Sequence, residues 1–356
     1  MIDQSNIFKF KKNIDAALIL SDKNRFYFTQ FASTAGILVL APSKQPVFFT
    51  DPRYYEMADE LKDKGIDTKL YEIGSSSLDM VKAYFEEIGA KTIGYEDTEL
   101  TVAQFNGIQQ AFADYTLEPM GDAISLMRSF KTEEEIAYIK KAQEITDSAF
   151  EHILTFIKEG VTEKEIAIEL EHQMKLLGAD GLAFDTIVAS GVNGSKPHAH
   201  PTDKKVEKGD AITMDFGARY NGYCSDMTRT VFLGEPSKEM RNIYNIVLLA
   251  QSNAIKNIKA GLSGKEVDAL AREVIVANGY GANFTHSTGH SLGIDIHEAP
   301  NASKACETIF RANQLVTIEP GIYIPGVGGV RIEDIVYIKE NEIEDLTKSQ
   351  KTIIIL

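Results

Sequence analysis

The chain has 356 residues, enough for two domains with full hydrophobic cores. Its 37 Lys and Arg residues against 52 Asp and Glu residues leave a formal net charge of −15, which argues against a surface that binds nucleic acid or anionic membranes. No apolar run has the length of a membrane span, and the first residues lack the apolar core of a signal peptide. We therefore expect a cytoplasmic protein that binds neither membrane nor nucleic acid. Cys224 and Cys306 have no metal-ligand or redox spacing, so we expect free thiols.

The first part of the chain alternates short apolar segments with helical ones. Buried strands are predicted by the segments DAALILS, AGILVLAP and PVFFTD, and a helix by SLDMVKAYFEEIG. This alternation predicts a small α/β domain, which we place at residues 1–125. A long helix then begins after Thr132, where Glu135 completes a capping box. We place the second domain at residues 126–356.

The second domain contains an internal repeat. Lys158 to Gly178 (KEGVTEKEIAIELEHQMKLLG) matches Lys259 to Gly279 (KAGLSGKEVDALAREVIVANG) at a constant offset of 101 residues. Thr162 and Ser263 are matching N-cap residues, and the terminal glycines end both helices. The repeat predicts a pseudo-twofold axis in this domain.

Asp215 and Asp226 lie in the two apolar arms of a predicted β-hairpin, MDFGARYNGYCSDMTRT. If the loop is Tyr220-Asn221, Asp215 lies directly opposite Asp226. If the loop is Asn221-Gly222, Asp215 faces Thr228 and Asp226 is its diagonal neighbour. In either register the carboxylates share a face, which is unfavourable unless a cation lies between them.

A second predicted hairpin, VTIEPGIYIPGVGGVRIEDIVYI, repeats this arrangement with Glu319 and Glu333. A turn centred on Gly326 places the two glutamates opposite one another. His290 lies in a glycine-flanked loop nearby in sequence, and neutral imidazole is a common metal ligand. Four carboxylates and one imidazole predict a metal cage, because two divalent cations neutralise the four negative charges.

These motifs resemble the pita-bread metallopeptidase superfamily, in its aminopeptidase P/prolidase branch. MDFGARYNGYCSDMTRT, HSTGHSLGIDIHEAP and IEPGIYIPGVGGVRIED resemble the family's three metal-site blocks, and GSKPHAHPTD resembles the block with its additional catalytic histidine. FYFTQFASTAGILVL and FFTDPRYYEMA resemble its smaller N-terminal domain. The implied fold is mixed α/β (α+β): a small ribonuclease-H-like domain followed by a pseudo-twofold pita-bread catalytic domain.

The resemblance also implies roles for individual residues. The five implied metal ligands, of which Asp226 and Glu333 bridge two ions, are Asp215, Asp226, His290, Glu319 and Glu333. Glu319 shuttles a proton to the departing amine. His198 and His297 hydrogen-bond the substrate and the oxyanion, and His286 lines the same pocket. Arg331 shares a strand face with Glu333. We expect it to hold the ligand carboxylates in orientation without binding the metal itself. Ser291 departs from the family, which commonly has glycine at this position.

The implied activity is that of a metal-dependent Xaa-Pro aminopeptidase, which hydrolyses the peptide bond before proline. The alternative within the family is an Xaa-Pro dipeptidase (prolidase) restricted to dipeptides. A creatinase-like metal-free amidinohydrolase or a non-catalytic peptide-binding relative is a further alternative, although both normally have ligand positions replaced. We expect two divalent ions, with Mn²⁺ preferred over Co²⁺, Zn²⁺ or Fe²⁺. The resemblance further implies proline-containing peptide substrates and a homodimer.

Overall fold

The computed structural model describes residues 4–72 and 74–356. Their contacts divide the chain into two compact units, Met1–Arg128 and Ser129–Leu356. The first unit is built on one mixed sheet with strand order β4-β3-β2-β1-β5-β6. Its strands are β1 (Ala16–Ile19), β2 (Ile37–Leu40), β3 (Val47–Thr50), β4 (Asp67–Leu70), β5 (Thr92–Tyr95) and β6 (Thr116–Pro119). Its helices are α1 (Ile7–Phe10), α2 (Asp22–Thr29), α3 (Tyr55–Asp59), α4 (Ser77–Ile88), α5 (Val102–Ala111) and α6 (Ala123–Ser129).

The centre of this sheet is apolar on both faces. Every residue of β1, β2 and β3 is buried, as expected for strands that helices cover on each side. The strands pair antiparallel from β1 to β3, whereas β3–β4, β1–β5 and β5–β6 are parallel. The strands and the helix predicted from the four segments of the first part are confirmed.

Four long helices organise the second unit. They are α7 (Glu133–Phe156), α8 (Glu163–Leu176), α9 (Lys238–Asn257) and α10 (Gly264–Ala277). Helix α7 begins with the predicted capping box, in which Thr132 and Glu135 bond each other's backbone amides. Helices α8 and α10 begin and end 101 residues apart, each with a capping box at its N-terminus. The internal repeat is therefore confirmed.

The strands of the second unit form small sheets beneath these helices. They are β7 (Gly181–Leu182), β8 (Ile187–Ser190), β9 (Ala211–Phe216), β10 (Ala218–Tyr220), β11 (Tyr223–Cys224), β12 (Met227–Phe232), β13 (Gly289–Ser291), β14 (Glu298–Ala302), β15 (Gln314–Ile318), β16 (Gly321–Ile324), β17 (Gly328–Arg331), β18 (Asp334–Ile338) and β19 (Ile343–Asp345). One core packs α7 and α8 against sheet β12-β9-β8. A second core packs α9 and α10 against β15 to β18. The two cores give the unit the two-halved construction that the repeat predicts.

Candidate active site

The first hairpin adopts the register with Asn221-Gly222 as its loop. Both loop residues have positive φ angles, 45° and 78°, as a type I′ turn requires. Tyr220 pairs with Tyr223, and Asp215 on β9 pairs with Thr228 on β12. The alternative register, with Asp215 directly opposite Asp226, is not observed. Asp226 lies in a short break between β11 and β12 and is 4% exposed.

The second hairpin turns about Gly326, as predicted. Gly321 pairs with Arg331 and Ile324 with Gly328, and Ile318 pairs with Asp334 on the neighbouring strands in the same register. Glu319 and Glu333 occupy the breaks between these strand pairs, facing each other across the hairpin.

Thr228 joins the two hairpins. Its hydroxyl donates to Oε2 of Glu333 at 2.7 Å, and its carbonyl oxygen accepts from the backbone N–H of Glu333 at 3.1 Å. Thr228 lies opposite Asp215 in the first hairpin. The carboxylates of the two hairpins are thereby held next to one another.

His290 lies on β13 with one ring nitrogen directed at the carboxylates. Its Nδ1–H donates to the carbonyl oxygen of Ser291 at 3.0 Å, which leaves Nε2 as the nitrogen with the free lone pair. Nε2 lies 3.5 Å from Oδ2 of Asp226 and 3.5 Å from Oε1 of Glu319. Burial lowers the pKa of His290 to about 4, so the ring is neutral at physiological pH, as a metal ligand must be.

The buried carboxylates have strongly perturbed pKa values. Burial and then neighbouring carboxylates raise the pKa values of Asp226 and Glu333 well above their usual range. Burial also raises the pKa of Glu319 to about 8, although Arg331 opposes the shift. The cause is the one expected for like charges crowded together in a low-dielectric site.

This donor set fits a divalent cation. Ligand atoms of Asp226, His290 and Glu333 all lie within 4.8 Å of one another. Among the residues that the structure describes, Oδ1 of Asp215 and Oε1 of Glu333 are buried without a hydrogen-bond partner, and a bound cation would satisfy both atoms. Carboxylate oxygens with one imidazole nitrogen suit hard or borderline divalent ions. Cys224 is buried, and burial raises the pKa of its thiol to about 12, so a thiolate is not part of this set.

A hydrogen-bonded chain runs behind the carboxylates. Arg331 donates through Nη2 to Oδ2 of Asp215 at 2.5 Å and through Nη1 to the hydroxyl oxygen of Tyr323 at 2.8 Å. The Tyr323 hydroxyl donates to Nε2 of His286 at 2.8 Å, while Nδ1–H of His286 donates to the carbonyl oxygen of Ser287 at 2.8 Å. Burial raises the pKa of Tyr323 to about 12 and lowers that of His286 to about 3, so the phenol stays a donor and the imidazole stays neutral.

Sequence reasoning missed Tyr323. The register of its hairpin contained the signal, because Tyr323 pairs with Gly329 and is thus the diagonal neighbour of Arg331 on the same face. Gly321 is the strand partner of Arg331, and Tyr323 lies two residues further along that strand. At this distance its phenol can reach the guanidinium of Arg331.

The structure brings all nine predicted site residues to one cavity of about 680 Å³. They are His198, Asp215, Asp226, His286, His290, His297, Glu319, Arg331 and Glu333. The rings of His290 and His297 meet edge to face with their centroids 4.4 Å apart. His198 and His297 are exposed within the cavity, whereas the carboxylates lie deeper. Phe184, Ile187 and Ile296 add an apolar part to the wall.

Residues 137–340 match metallopeptidase family M24, and residues 10–130 match the creatinase/prolidase N-terminal domain. The chain belongs to metallopeptidase family M24. Its M24 relatives include the Xaa-Pro dipeptidase of Pyrococcus furiosus, which is 38% identical over 347 residues that cover 98% of this chain and 97% of that protein.

Solved M24 structures superpose on nearly the whole chain. The Xaa-Pro dipeptidase from Bacillus anthracis has a TM-score of 0.95 and 42% identity, and the match covers 99% of this chain and 98% of that one. The X-Pro aminopeptidase from Thermotoga maritima has a TM-score of 0.91 and 39% identity, covering 98% of this chain and 100% of that one. The family resemblance and the fold class inferred from the sequence are therefore confirmed.

Membership of M24 makes the chain a metal-dependent peptidase and implies divalent metal ions. The family assignment is consistent with the carboxylate and imidazole groups of the cavity. Across residues 4–72 and 74–356, no helix combines the length and the apolar character needed to cross a membrane.

Proposed function

We propose that this M24 peptidase is an Xaa-Pro aminopeptidase, which releases the N-terminal residue from peptides with proline in second position and also cleaves Xaa-Pro dipeptides. The observation that carries the proposal is the buried cluster of carboxylates and one neutral imidazole inside a cavity with an apolar wall. The proline preference is supported by similarity to the Xaa-Pro dipeptidases of Pyrococcus furiosus and Bacillus anthracis and to the X-Pro aminopeptidase of Thermotoga maritima.

The five predicted ligands would hold two divalent ions, which we propose to be Mn²⁺. They are Asp215, Asp226, His290, Glu319 and Glu333. Two divalent charges balance the four carboxylates, and oxygen-rich ligation suits Mn²⁺. When bound, the ions supply positive charge that polarises a peptide carbonyl and lowers the pKa of a water molecule.

Glu319 is the proposed proton carrier. Its carboxylate lies at the cavity and accepts from the hydroxyl of Thr317 at 3.2 Å. A carboxylate at this position can take a proton from water and release it to a leaving group. The nitrogen of a departing proline needs such a proton to leave as an amine.

His198 and His297 are the proposed donors to the substrate carbonyl and to the oxyanion that forms from it. Both rings line the cavity and are exposed within it. His286 is different, because Tyr323 and the carbonyl oxygen of Ser287 engage its two ring nitrogens. We assign His286 to shaping the pocket wall and Arg331 to orienting Asp215.

The apolar wall offers a place for the proline ring. Phe184, Ile187, Pro197 and Ile296 line the cavity together with the polar groups. A proline side chain has no polar atom to satisfy, so burial against this wall is favourable. Ligand sites commonly combine such a wall with a few polar groups that orient the ligand.

The proposal is tested with four peptides in the presence of Mn²⁺: an Xaa-Pro dipeptide, an Xaa-Pro-Yaa tripeptide and the matched peptides with alanine in place of proline. We expect cleavage before proline in both proline peptides and little cleavage of the alanine controls. Cleavage of the dipeptide alone would establish the dipeptidase alternative. No cleavage of either proline peptide contradicts the proposed function.

We further propose that the enzyme is a homodimer, as the family resemblance implies. Light scattering at micromolar concentration should give twice the 39.4 kDa mass of the chain. A monomer mass under these conditions contradicts this proposal.

A further inference from the structure

Glu163, the first residue of α8, is a fully buried carboxylate surrounded by donors. Its Oε1 accepts from the backbone N–H and the hydroxyl of Ser190 at 2.7 and 2.8 Å. Its Oε2 accepts from the backbone N–H and the hydroxyl of Thr202 at 3.0 and 2.6 Å. The side-chain amide of Asn193 donates to both oxygens at 3.1 and 3.2 Å. These hydrogen bonds account for the burial of the charge. We name these four residues the Glu163 clasp.

The clasp closes the loop that carries His198. Ser190 ends strand β8, and Thr202 lies beyond the histidine, so the carboxylate ties together the two ends of the segment. Within the described residues, the His198 side chain has no hydrogen bond, and its ring is exposed in the cavity. Its position therefore depends on the backbone of the loop. Arg331 provides a second attachment, since its Nη1 donates to the carbonyl oxygen of Pro197 at 3.2 Å.

The internal repeat gives an independent view of this residue. At an offset of 101 residues, Glu163 corresponds to Gly264, the first residue of α10. The backbone contacts are alike in the two halves: the N–H of Glu163 donates to the carbonyl oxygen of Lys204 at 3.1 Å, and the N–H of Gly264 donates to that of Thr308 at 3.0 Å. The helix start thus forms equally well with and without the carboxylate.

What differs is the space between the helix start and the following segment. A Cβ atom on Gly264 would lie 2.2 Å from the carbonyl oxygen of Asn301 and 2.8 Å from Cβ of Cys306. In the second half of the repeat, the segment that contains Asn301 and Cys306 therefore packs directly on the backbone of α10. In the first half a glutamate side chain fills the corresponding space and binds the segment through hydrogen bonds. Of the two corresponding helix starts, the one next to the His198 loop has the carboxylate and the other has glycine.

We propose that Glu163 is a positioning residue, which holds the loop around His198 so that the imidazole faces the substrate. The inference rests on the proposed function, in which His198 donates to the substrate. Holding a donor in place before the substrate arrives reduces the reorganisation needed in the transition state. Loss of the clasp should therefore reduce kcat more than it raises KM.

The test uses Glu163→Gln in the full-length enzyme loaded with Mn²⁺. The amide keeps the shape of the side chain, but its NH₂ group faces hydrogen-bond donors, so the clasp loses several bonds. We expect kcat to fall about tenfold or more, the Mn²⁺ content to stay unchanged, and the amides of residues 194–203 to exchange hydrogen faster. The matched control is Glu165→Gln in the same helical turn, because Glu165 is exposed and, within the described part of the chain, its carboxylate accepts hydrogen bonds from Thr162 alone. This control should leave kcat and loop exchange unchanged.

Two further variants decide the mechanism. Adding Glu163→Gln to His198→Ala should cause no further loss of kcat, because the clasp acts through the histidine. The proposal is overturned if Glu163→Gln lowers kcat in the His198→Ala background by the same factor as in wild type. It is also overturned if hydrogen exchange of the loop is unchanged in Glu163→Gln. If Glu163→Gln does not fold, Asn193→Ala removes one donor group and is judged by the same measurements. If the wild-type enzyme cleaves no Xaa-Pro peptide, the proposed function fails, and hydrogen exchange alone still decides whether the clasp orders the loop.

Discussion

Asp226 and Glu333 are 4% and 1% exposed, and each has other carboxylates as close neighbours. An uncompensated charge in such surroundings is strongly unfavourable, so metal-free protein must keep some of these carboxyl groups protonated. A bound cation removes that requirement. The same crowding that disfavours ionised carboxylates without metal thus creates the affinity for metal.

The two cavity histidines provide the first prediction. Replacing His198 or His297 by Ala should lower kcat about 10²- to 10³-fold, the usual effect of removing an oxyanion donor, while the metal content stays nearly unchanged. Neither residue is among our proposed ligands. The measurements are steady-state kinetics with an Xaa-Pro peptide and elemental analysis of the same samples. Loss of metal from His297→Ala would instead identify His297 as a ligand.

Tyr323→Phe is the second prediction. The substitution removes one of the two acceptors of Arg331 Nη1, in a buried setting, and the donor for Nε2 of His286, in a partly buried one. We expect a cost of about 1–3 kcal/mol in the free energy of unfolding and about 10- to 100-fold weaker metal binding, because Arg331 also orients Asp215. Denaturant unfolding and metal titration measure the two effects. Unchanged metal affinity would show that Arg331 orients Asp215 without the phenol.

At the scale of elements, the site depends on the close approach of β13 to β15. The backbone N–H of His290 donates to the Thr317 hydroxyl at 3.1 Å, and the backbone N–H of Glu319 donates to the carbonyl oxygen of Thr288 at 2.8 Å. Gly289 permits this contact, because a Cβ atom there would lie 1.7 Å from the carbonyl oxygen of Thr317. A glycine therefore sets the distance between two proposed ligands.

Gly289→Ala is accordingly the third prediction. The strands must separate to admit the methyl group, and we expect a loss of at least about 1–3 kcal/mol in stability together with weaker metal binding. Gly181→Ala on β7 is the matched control, since a Cβ atom there would meet no atom within 4 Å. Thermal unfolding and metal titration of both variants provide the comparison. Equal metal affinity in the two variants would contradict the proposed importance of this contact.

The hairpins show which features can be predicted from sequence. The Asn221-Gly222 turn and the alternation around Gly326 contain the information for register, and the observed pairings agree with it. The repeat and its two matching N-cap residues could likewise be predicted, because capping is local chemistry. The strand break at Asp226 and the β-bulge beside His290 could not be predicted from the sequence, since they arise from packing between distant strands. The structure places the predicted site residues together, while their individual roles remain predictions.

At the scale of the whole second unit, the site combines contributions from both halves of the repeat. Asp215 and Asp226 come from the half with α7 and α8, whereas His290, Glu319 and Glu333 come from the half with α9 and α10. Each half has its own apolar core. Bound cations would thus connect two separately packed halves, and metal binding should stabilise the unit as a whole.

The fourth prediction concerns metal removal and pH. In chelated protein, Asp226, Glu319 and Glu333 have folded-state pKa values raised above the unfolded reference of about 4, and that of Glu319 reaches about 8. Groups of this kind contribute stability below the unfolded pKa and lose it as pH rises through the folded pKa. His286 and His290 have the opposite shift and lose stability as pH falls below about 6.5. Between about pH 6.5 and 8, the change of stability with pH therefore comes from the carboxyl groups and not from these two histidines.

Within that window, we expect the melting temperature of chelated protein to fall as pH rises. Mn²⁺ should restore it by on the order of 10 °C, because ligand-bound ions stabilise the folded state by mass action. The difference between the Mn²⁺-loaded and chelated samples should widen from pH 6.5 to 8, since metal binding competes with the protons that the carboxylates hold. The chain has no Trp, so circular dichroism is the suitable readout. Glu319→Gln, which cannot titrate at this position, should reduce the widening. A difference that stays constant with pH would mean that the raised carboxyl groups are not the ones that the metal deprotonates.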